Sequence, residues 1–293
     1  MLVSRGGPPC GRNSGEQSVR AAFIDIDGTR TRYLYEGSAV ETLLLIHGFG
    51  LSADIWARVL DPLAAHFSVY APDILGHGFT DFKEPGDEAA PLVMSRHLEG
   101  FMDAVGIERC AVLGSSLGGL LAPLLYAARP ESVSALIIDG LHTPVSDTGM
   151  LPPETIRATM ANGTTAMTDV TWQSCIDRMG RICHDPVRSP ADIALMQVTV
   201  YAQPDRLPAY LAYGQSMIDH VDDEAVRMRP ETIAVPTLFL SGRQDIRAPI
   251  EVIEKNYGRV PGAALSVFEN CGHLPEVEHP EKFVETVTAF LRG

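Results

Sequence analysis

No block of lysine or arginine occurs anywhere in this 293-residue chain, where 23 basic residues stand against 37 acidic ones for a formal net charge of −14. Contact with nucleic-acid phosphates needs a basic surface, so no nucleic-acid partner is expected. The acidic balance serves solubility. No run of 18 apolar residues is present, so no transmembrane helix and no membrane partner are expected. The first twenty residues are rich in Gly, Ser and Arg and lack the apolar stretch of a secretory signal; they are expected to form a disordered arm. The five cysteines (Cys10, Cys110, Cys175, Cys183 and Cys271) contain no C-x-x-C pair and are odd in number. That pattern points to free thiols in a reducing, cytoplasmic setting and not to a disulfide framework. No group of His, Cys, Asp and Glu has metal-ligand spacing, and neither a metal nor a cofactor is expected.

The 45% apolar content is enough for one large domain, or for a domain interrupted by a lid. Residues 23–26 and 31–35 flank Asp27-Gly28 and predict a hairpin. Apolar runs at 42–46, 67–71, 110–113 and 133–138 predict strands, separated by helical periodicity over 54–66, 92–105 and 118–128. Strands that are apolar throughout and alternate with helices predict a parallel sheet buried on both faces. Between 143 and 228 only helical stretches appear, at 166–182, 191–201 and 209–218. Strands at 237–240 and 265–268 resume the sheet, and Pro280 opens a last helix through 291. The predicted fold class is α/β, with a mostly parallel central sheet flanked by helices over 21–142 and 229–293. An all-helical lid is expected as an insertion at 143–228.

The segment Ala111-Val112-Leu113-Gly114-Ser115-Ser116-Leu117-Gly118-Gly119 carries the most chemistry. A short apolar run enters a small-x-Ser-x-small turn and a helical pattern leaves it. A nucleophile elbow needs this arrangement: a serine on a strained strand-to-helix turn, with glycines two residues to either side where the backbone passes closely. Ser116 is the candidate nucleophile, because Ser115 in that role would put Leu113 and Leu117 at the crowded flanking positions. The plain alternative is a glycine-rich turn whose serines cap the next helix.

A serine hydroxyl needs a base within hydrogen-bond reach and a group that orients the base. His273, in Cys271-Gly272-His273-Leu274-Pro275 after the last predicted strand, is the candidate base. Asp245, in Ser241-Gly242-Arg243-Gln244-Asp245 after the preceding strand, is the candidate acid. Both fall in loops beyond strand C-terminal ends, where open parallel sheets place their sites. The chain order Ser, Asp, His matches a known triad order.

With these motifs and the early His47-Gly48-Phe49-Gly50, the chain resembles an α/β-hydrolase fold serine hydrolase over residues 22–292. By that resemblance the backbone N–H groups of Phe49 and Leu117 form an oxyanion hole, which a tetrahedral intermediate requires because it gathers negative charge on one oxygen. Asp139 stands where some relatives carry the triad acid, although Asp139-Gly140 also reads as a loop cap. His77, within Asp73-Ile74-Leu75-Gly76-His77-Gly78-Phe79-Thr80-Asp81, and His47 read as structural, and His142, His184, His220 and His279 as scattered surface or core residues. A serine where haloalkane dehalogenase-like and epoxide hydrolase-like members carry Asp implies acyl transfer to Ser116, followed by water attack activated by His273.

The lid is expected to cover Ser116 and shape the pocket. It holds seven of the chain's ten methionines, whose flexible thioethers suit either an adaptable cavity or packing of lid helices on the sheet. Trp172, Arg178, Met179 and Leu274 are the pocket candidates. Residues 31–37, 73–81 and 178–186 are similar to those of hydrolases that split carbon–carbon bonds in aromatic ring-cleavage products, but Leu274 stands where many of these carry Trp. The expected function is therefore hydrolysis of a carboxylic ester or lactone of a small to medium apolar substrate. Carbon–carbon hydrolysis of a 2-hydroxy-6-oxo-dienoate is the alternative, and a ligand-binding receptor on the same fold is the alternative of another class. The partner is a small-molecule substrate, and the oligomeric state is open.

Overall fold

Alternate side chains of each central strand feed two separate cores, one on either face of the sheet. The computed structural model describes residues 19–141, 151–185 and 191–293; most of the expected arm and positions 143–150 and 186–190 of the expected lid lie outside them. The described strands are β1 (Arg20–Ile26), β2 (Thr29–Glu36), β3 (Thr42–Ile46), β4 (Ser68–Pro72), β5 (Cys110–Ser115), β6 (Val133–Asp139), β7 (Thr237–Gly242) and β8 (Ala264–Phe268). They form one sheet in the order β1-β2-β4-β3-β5-β6-β7-β8. β1 pairs antiparallel with β2, and β2 with β4; from β4 through β8 every pairing is parallel.

The apolar strands follow from this two-sided burial. Leu44, Ile46, Val112, Leu136, Ile138 and Phe239 point into one core, while Leu43, Leu45, Leu113, Ile137, Leu238 and Leu240 point into the other. The first core also takes α2 (Ala90–Val105), which ends at Gly106 with φ +77°, and α3 (Leu117–Ala128). Every residue of α3 from Leu117 through Tyr126 is buried, so this helix is apolar all round and has no solvent stripe. The second core takes α1 (Leu60–Ala64) and α10 (Pro280–Arg292).

Between β6 and β7 the described residues form α4 (Pro153–Thr168), α5 (Trp172–Gly180), α6 (Ala191–Tyr201) and α7 (Arg206–Asp219), with no strand among them. Two predicted helices are divided. The periodicity over 54–66 resolves into a 3₁₀ turn at Ala53–Trp56 and the short α1, because Pro62 fits the first turn of a new helix but not a continuous interior. The stretch 166–182 is broken before Trp172. There the Thr171 hydroxyl accepts from the Ser174 N–H and the Ser174 hydroxyl accepts from the Thr171 N–H, a reciprocal cap that starts a new helix. After β7 come α8 (Ile250–Asn256) and, beyond β8, the single turn α9 (Pro275–Glu278). No helix among the described residues is long and apolar enough to cross a membrane.

Candidate active site

Ser116 lies between the end of β5 and the start of α3 with φ +53° and ψ −116°. A non-glycine residue in that region carries strain of about 1–3 kcal/mol, held by its surroundings. The surroundings here are tight. A Cβ on Gly114 would overlap the Gly118 carbonyl, and a Cβ on Gly118 would overlap the Ile46 carbonyl of β3. The Ser116 N–H donates to the Asp139 carbonyl at 2.8 Å, tying the elbow to the end of β6.

His273 and Asp245 reach this serine from two neighbouring loops. The Ser116 hydroxyl lies 3.0 Å from His273 Nε2, and His273 Nδ1 lies 2.7 Å from Asp245 Oδ2. With Asp245 as acceptor, Nδ1 carries the proton and Nε2 is free to accept from Ser116. Asp245 Oδ1 accepts from the N–H groups of Arg247 and Ala248 at 2.7 and 3.1 Å. Burial works to raise the Asp245 carboxyl, but His273 and those two donors outweigh it and hold the group below its ordinary range. The three candidates from the sequence are thus brought into one hydrogen-bonded chain.

A cavity opens over Ser116. Phe49, Leu117, Arg247 and His273 line it together with Ile156 of α4 and Met217 of α7. Among the described residues the N–H groups of Phe49 and Leu117 have no hydrogen-bond partner. They are free donors beside the serine, as an oxyanion site needs.

The four pocket candidates are placed elsewhere. Trp172, the first residue of α5, is 46% exposed and off the cavity wall. Met179 packs in the core on the far face of the sheet, where the Gln197 amide meets its sulfur, and Leu274 is fully buried in that same core. Arg178 is also off the wall, yet only 2% exposed; one terminal N–H donates to the Phe49 carbonyl, and its Nε and Nη1 have no partner. Of the methionines in the expected lid, only Met217 lines this cavity among the described residues. The remaining wall comes largely from aliphatic side chains, which fill space with fixed rotamers.

Sequence reasoning missed Arg247. Burial lowers its guanidinium from the ordinary range, nearby Arg178 lowers it further, and no carboxylate forms an ion pair with either arginine among the described residues. Its only signal was position, two residues beyond the acid candidate. Glu276 was missed as well. It is fully buried three residues after His273 and accepts from the Ser115 hydroxyl at 3.0 Å. Asp139, the competing acid, is fully buried beside Glu276 and does not contact His273 through a hydrogen bond.

The loops carrying Phe49 and His77 are fastened from below. Arg32 of β2 forms a two-pronged bond to Asp54, both at 2.8 Å, and reaches Asp73, which accepts from the N–H groups of Ala53 and Phe79. His47 donates from Nδ1 to the Gly48 carbonyl at 2.8 Å and accepts the Ile74 N–H at Nε2. Burial pushes it down to about 4, so it is neutral and fully engaged. Burial likewise pushes His77 down to about 3. Both rings are structural in placement, and neither reaches Ser116. His184, His220 and His279 lie away from the cavity, and His142 falls outside the described residues.

The chain belongs to the alpha/beta hydrolase fold family, whose model matches residues 41–280. It is 29% identical over 265 residues to a 2-hydroxy-6-oxononadienedioate/2-hydroxy-6-oxononatrienedioate hydrolase of Paraburkholderia xenovorans, covering 87% of this chain and 88% of that one. It is 27% identical to a 2-hydroxy-6-oxo-6-(2'-aminophenyl)hexa-2,4-dienoic acid hydrolase of Metapseudomonas resinovorans, covering 94% and 92%. Its fold matches a meta-cleavage product hydrolase from Pseudomonas fluorescens IP01 with a TM-score of 0.77 at 23% identity, covering 92% and 97%. The chain is therefore an enzyme of the hydrolase class.

Proposed function

We propose that the chain is a serine hydrolase in which Ser116 attacks a carbonyl carbon, His273 takes and returns the proton, and Asp245 holds the imidazole. The observation that carries this reading is the hydrogen-bonded chain from Asp245 through His273 to Ser116, ending beside two free backbone donors on one cavity wall. In the first step Ser116 Oγ bonds to the carbonyl carbon while its proton passes to His273 Nε2. The carbonyl oxygen becomes an oxyanion held by the Phe49 and Leu117 N–H groups. Collapse breaks the bond to the leaving group, which takes the proton from His273. Water then attacks the acyl-enzyme, giving its proton to His273, and Ser116 recovers one on release of the acid. Helices α4–α7 act as the lid, with Ile156 and Met217 excluding water above the serine.

Two scissile bonds suit this machinery: a carboxylic ester or lactone, and the carbon–carbon bond of a 2-hydroxy-6-oxo-dienoate. Arg247 favours the second: it is half-buried on the cavity wall and forms no ion pair with a carboxylate among the described residues. A substrate carboxylate would meet it by charge-assisted, bidentate bonding. The apolar remainder of the wall suits the carbon skeleton. The relatives act, by their names, on acids of this kind.

The test compares a 2-hydroxy-6-oxo-dienoate with p-nitrophenyl acetate as substrates. The proposal expects the larger kcat/KM for the dienoate; a clear preference for the neutral ester returns the reading to an esterase. In Arg247→Gln, kcat/KM for the dienoate falls about tenfold more than for the neutral ester, the worth of one charge-assisted bond. Equal losses on both substrates would remove the carboxylate role from Arg247.

A further inference from the structure

Behind the hydrogen-bonded Ser116, His273 and Asp245 lies a second pair of carboxyls that the reaction as written does not use. Asp139 closes β6 and Glu276 sits in α9, and both are 0% exposed. No N–H or O–H of another residue reaches either Asp139 carboxyl oxygen among the described residues, and no cation pairs with either carboxyl. The two carboxyls lie close enough that each shifts the other's protonation. Glu276 also accepts the Ser115 hydroxyl, from the residue that enters the elbow. The groups facing the pair are Ser115 from β5, Asp245 from the loop after β7, His273 and Cys271 from the loop after β8, Cys183 from beyond α5, and Glu278 on α9 itself.

We propose that the Asp139–Glu276 pair is a positioning element of the active site: Glu276 anchors the elbow through Ser115, and the pair's single negative charge stands behind His273 and favours its imidazolium. Two ionised carboxylates cannot share a dry site without a cation, so the pair keeps one proton between them. Asp139 holds that proton because burial, and then Glu276, raise it well above the ordinary carboxyl range. Burial is also what pushes Glu276 up to about 7. The charge behind His273 is therefore present above neutrality and disappears below it. During acyl transfer His273 becomes positive, and a nearby negative charge lowers the cost of that state. Asp245 supplies the direct contact and the pair a second, more distant one. This inference rests on the serine-hydrolase reading above.

Two isosteric substitutions move the charge in opposite directions. In Glu276→Gln the amide still accepts from Ser115, but the pair becomes neutral at every working pH. In Asp139→Asn the amide donates to Glu276 without competing for a proton, so the charge persists to lower pH. The pH profile of kcat/KM tests this on the full-length enzyme. The acid limb is expected to move lower in Glu276→Gln, by at most about one pH unit, the size of one unit charge acting over several ångströms at an effective dielectric of about 20, because the wild-type pair itself loses its charge below about 7. In Asp139→Asn the limb is expected at or above its wild-type position.

Thermal unfolding against pH reads the same groups without catalysis. The folded state holds the Glu276 proton up to about 7 against an ordinary value of 4.5, so it binds more protons than the unfolded chain inside that window. Wild-type stability is then greatest below the window and falls as pH rises through it; Glu276→Gln flattens that fall. Limbs that coincide in all three proteins, or that shift the same way in both variants, overturn the proposal. Should Glu276→Gln fail to fold, an acid limb lowered in Asp139→Asn overturns it alone. Retained activity in Ser116→Ala overturns the underlying reading instead, so the two failures are separable.

Discussion

Replacing Ser116 with alanine lowers kcat by roughly 10⁵- to 10⁶-fold, the scale of removing a triad nucleophile elsewhere. The fold is expected to survive, because the substitution deletes one hydroxyl and leaves the elbow glycines and the Ser116 N–H bond to Asp139 in place. Substrate binding should be nearly unchanged, since Arg247, Phe49 and Leu117 still line the cavity. The measurement is steady-state turnover beside substrate affinity by calorimetry. Turnover within about tenfold of wild type would mean that a different group attacks, because the remaining oxyanion donors alone give far less.

Asp245→Asn is expected to lower kcat by about 10⁴-fold. The amide would present an N–H to His273 Nδ1, which favours the wrong tautomer and turns the proton of Nε2 toward Ser116, where an acceptor is needed. Asp139→Asn should cost far less, because Asp139 interacts with Glu276 and makes no bond to the imidazole. The side-by-side rates decide between the two acids that the sequence left competing. The larger loss in Asp139→Asn would reverse the assignment.

The elbow was legible in the linear sequence because backbone crowding prescribes residue types at fixed spacing. Gly114 and Gly118 are glycines since neighbouring carbonyls occupy the space of a side chain. Parallel-sheet topology then places loop residues after successive strands side by side, which is why His273 and Asp245 could be named as candidates, with Asp139 left competing for the acid. The antiparallel hairpin at Asp27-Gly28 was legible for the same reason of local geometry. Side chains that converge from distant elements left no such trace. Arg178 approaches the Phe49 loop from α5 and Arg247 from the loop after β7, and nothing in either local pattern says that they meet. Trp172 misled because an aromatic in an inserted helix suggests a wall, whereas the reciprocal cap at Thr171 turns the first residue of α5 toward solvent. Glu276 was hidden for a different reason. An acidic residue in a short turn normally faces water, and only the carboxyl of Asp139 and the hydroxyl of Ser115 make its burial tolerable.

The central claim is that Ser116 is activated by the imidazole it touches, and covalent labelling reads that directly. Incubation with a fluorophosphonate at neutral pH, followed by peptide mass spectrometry, should give one adduct per chain, located on Ser116. Ser115→Ala should still be labelled, and His273→Ala should be labelled far more slowly. An adduct on Ser115, or labelling of Ser116 that is equally fast without His273, would contradict the account.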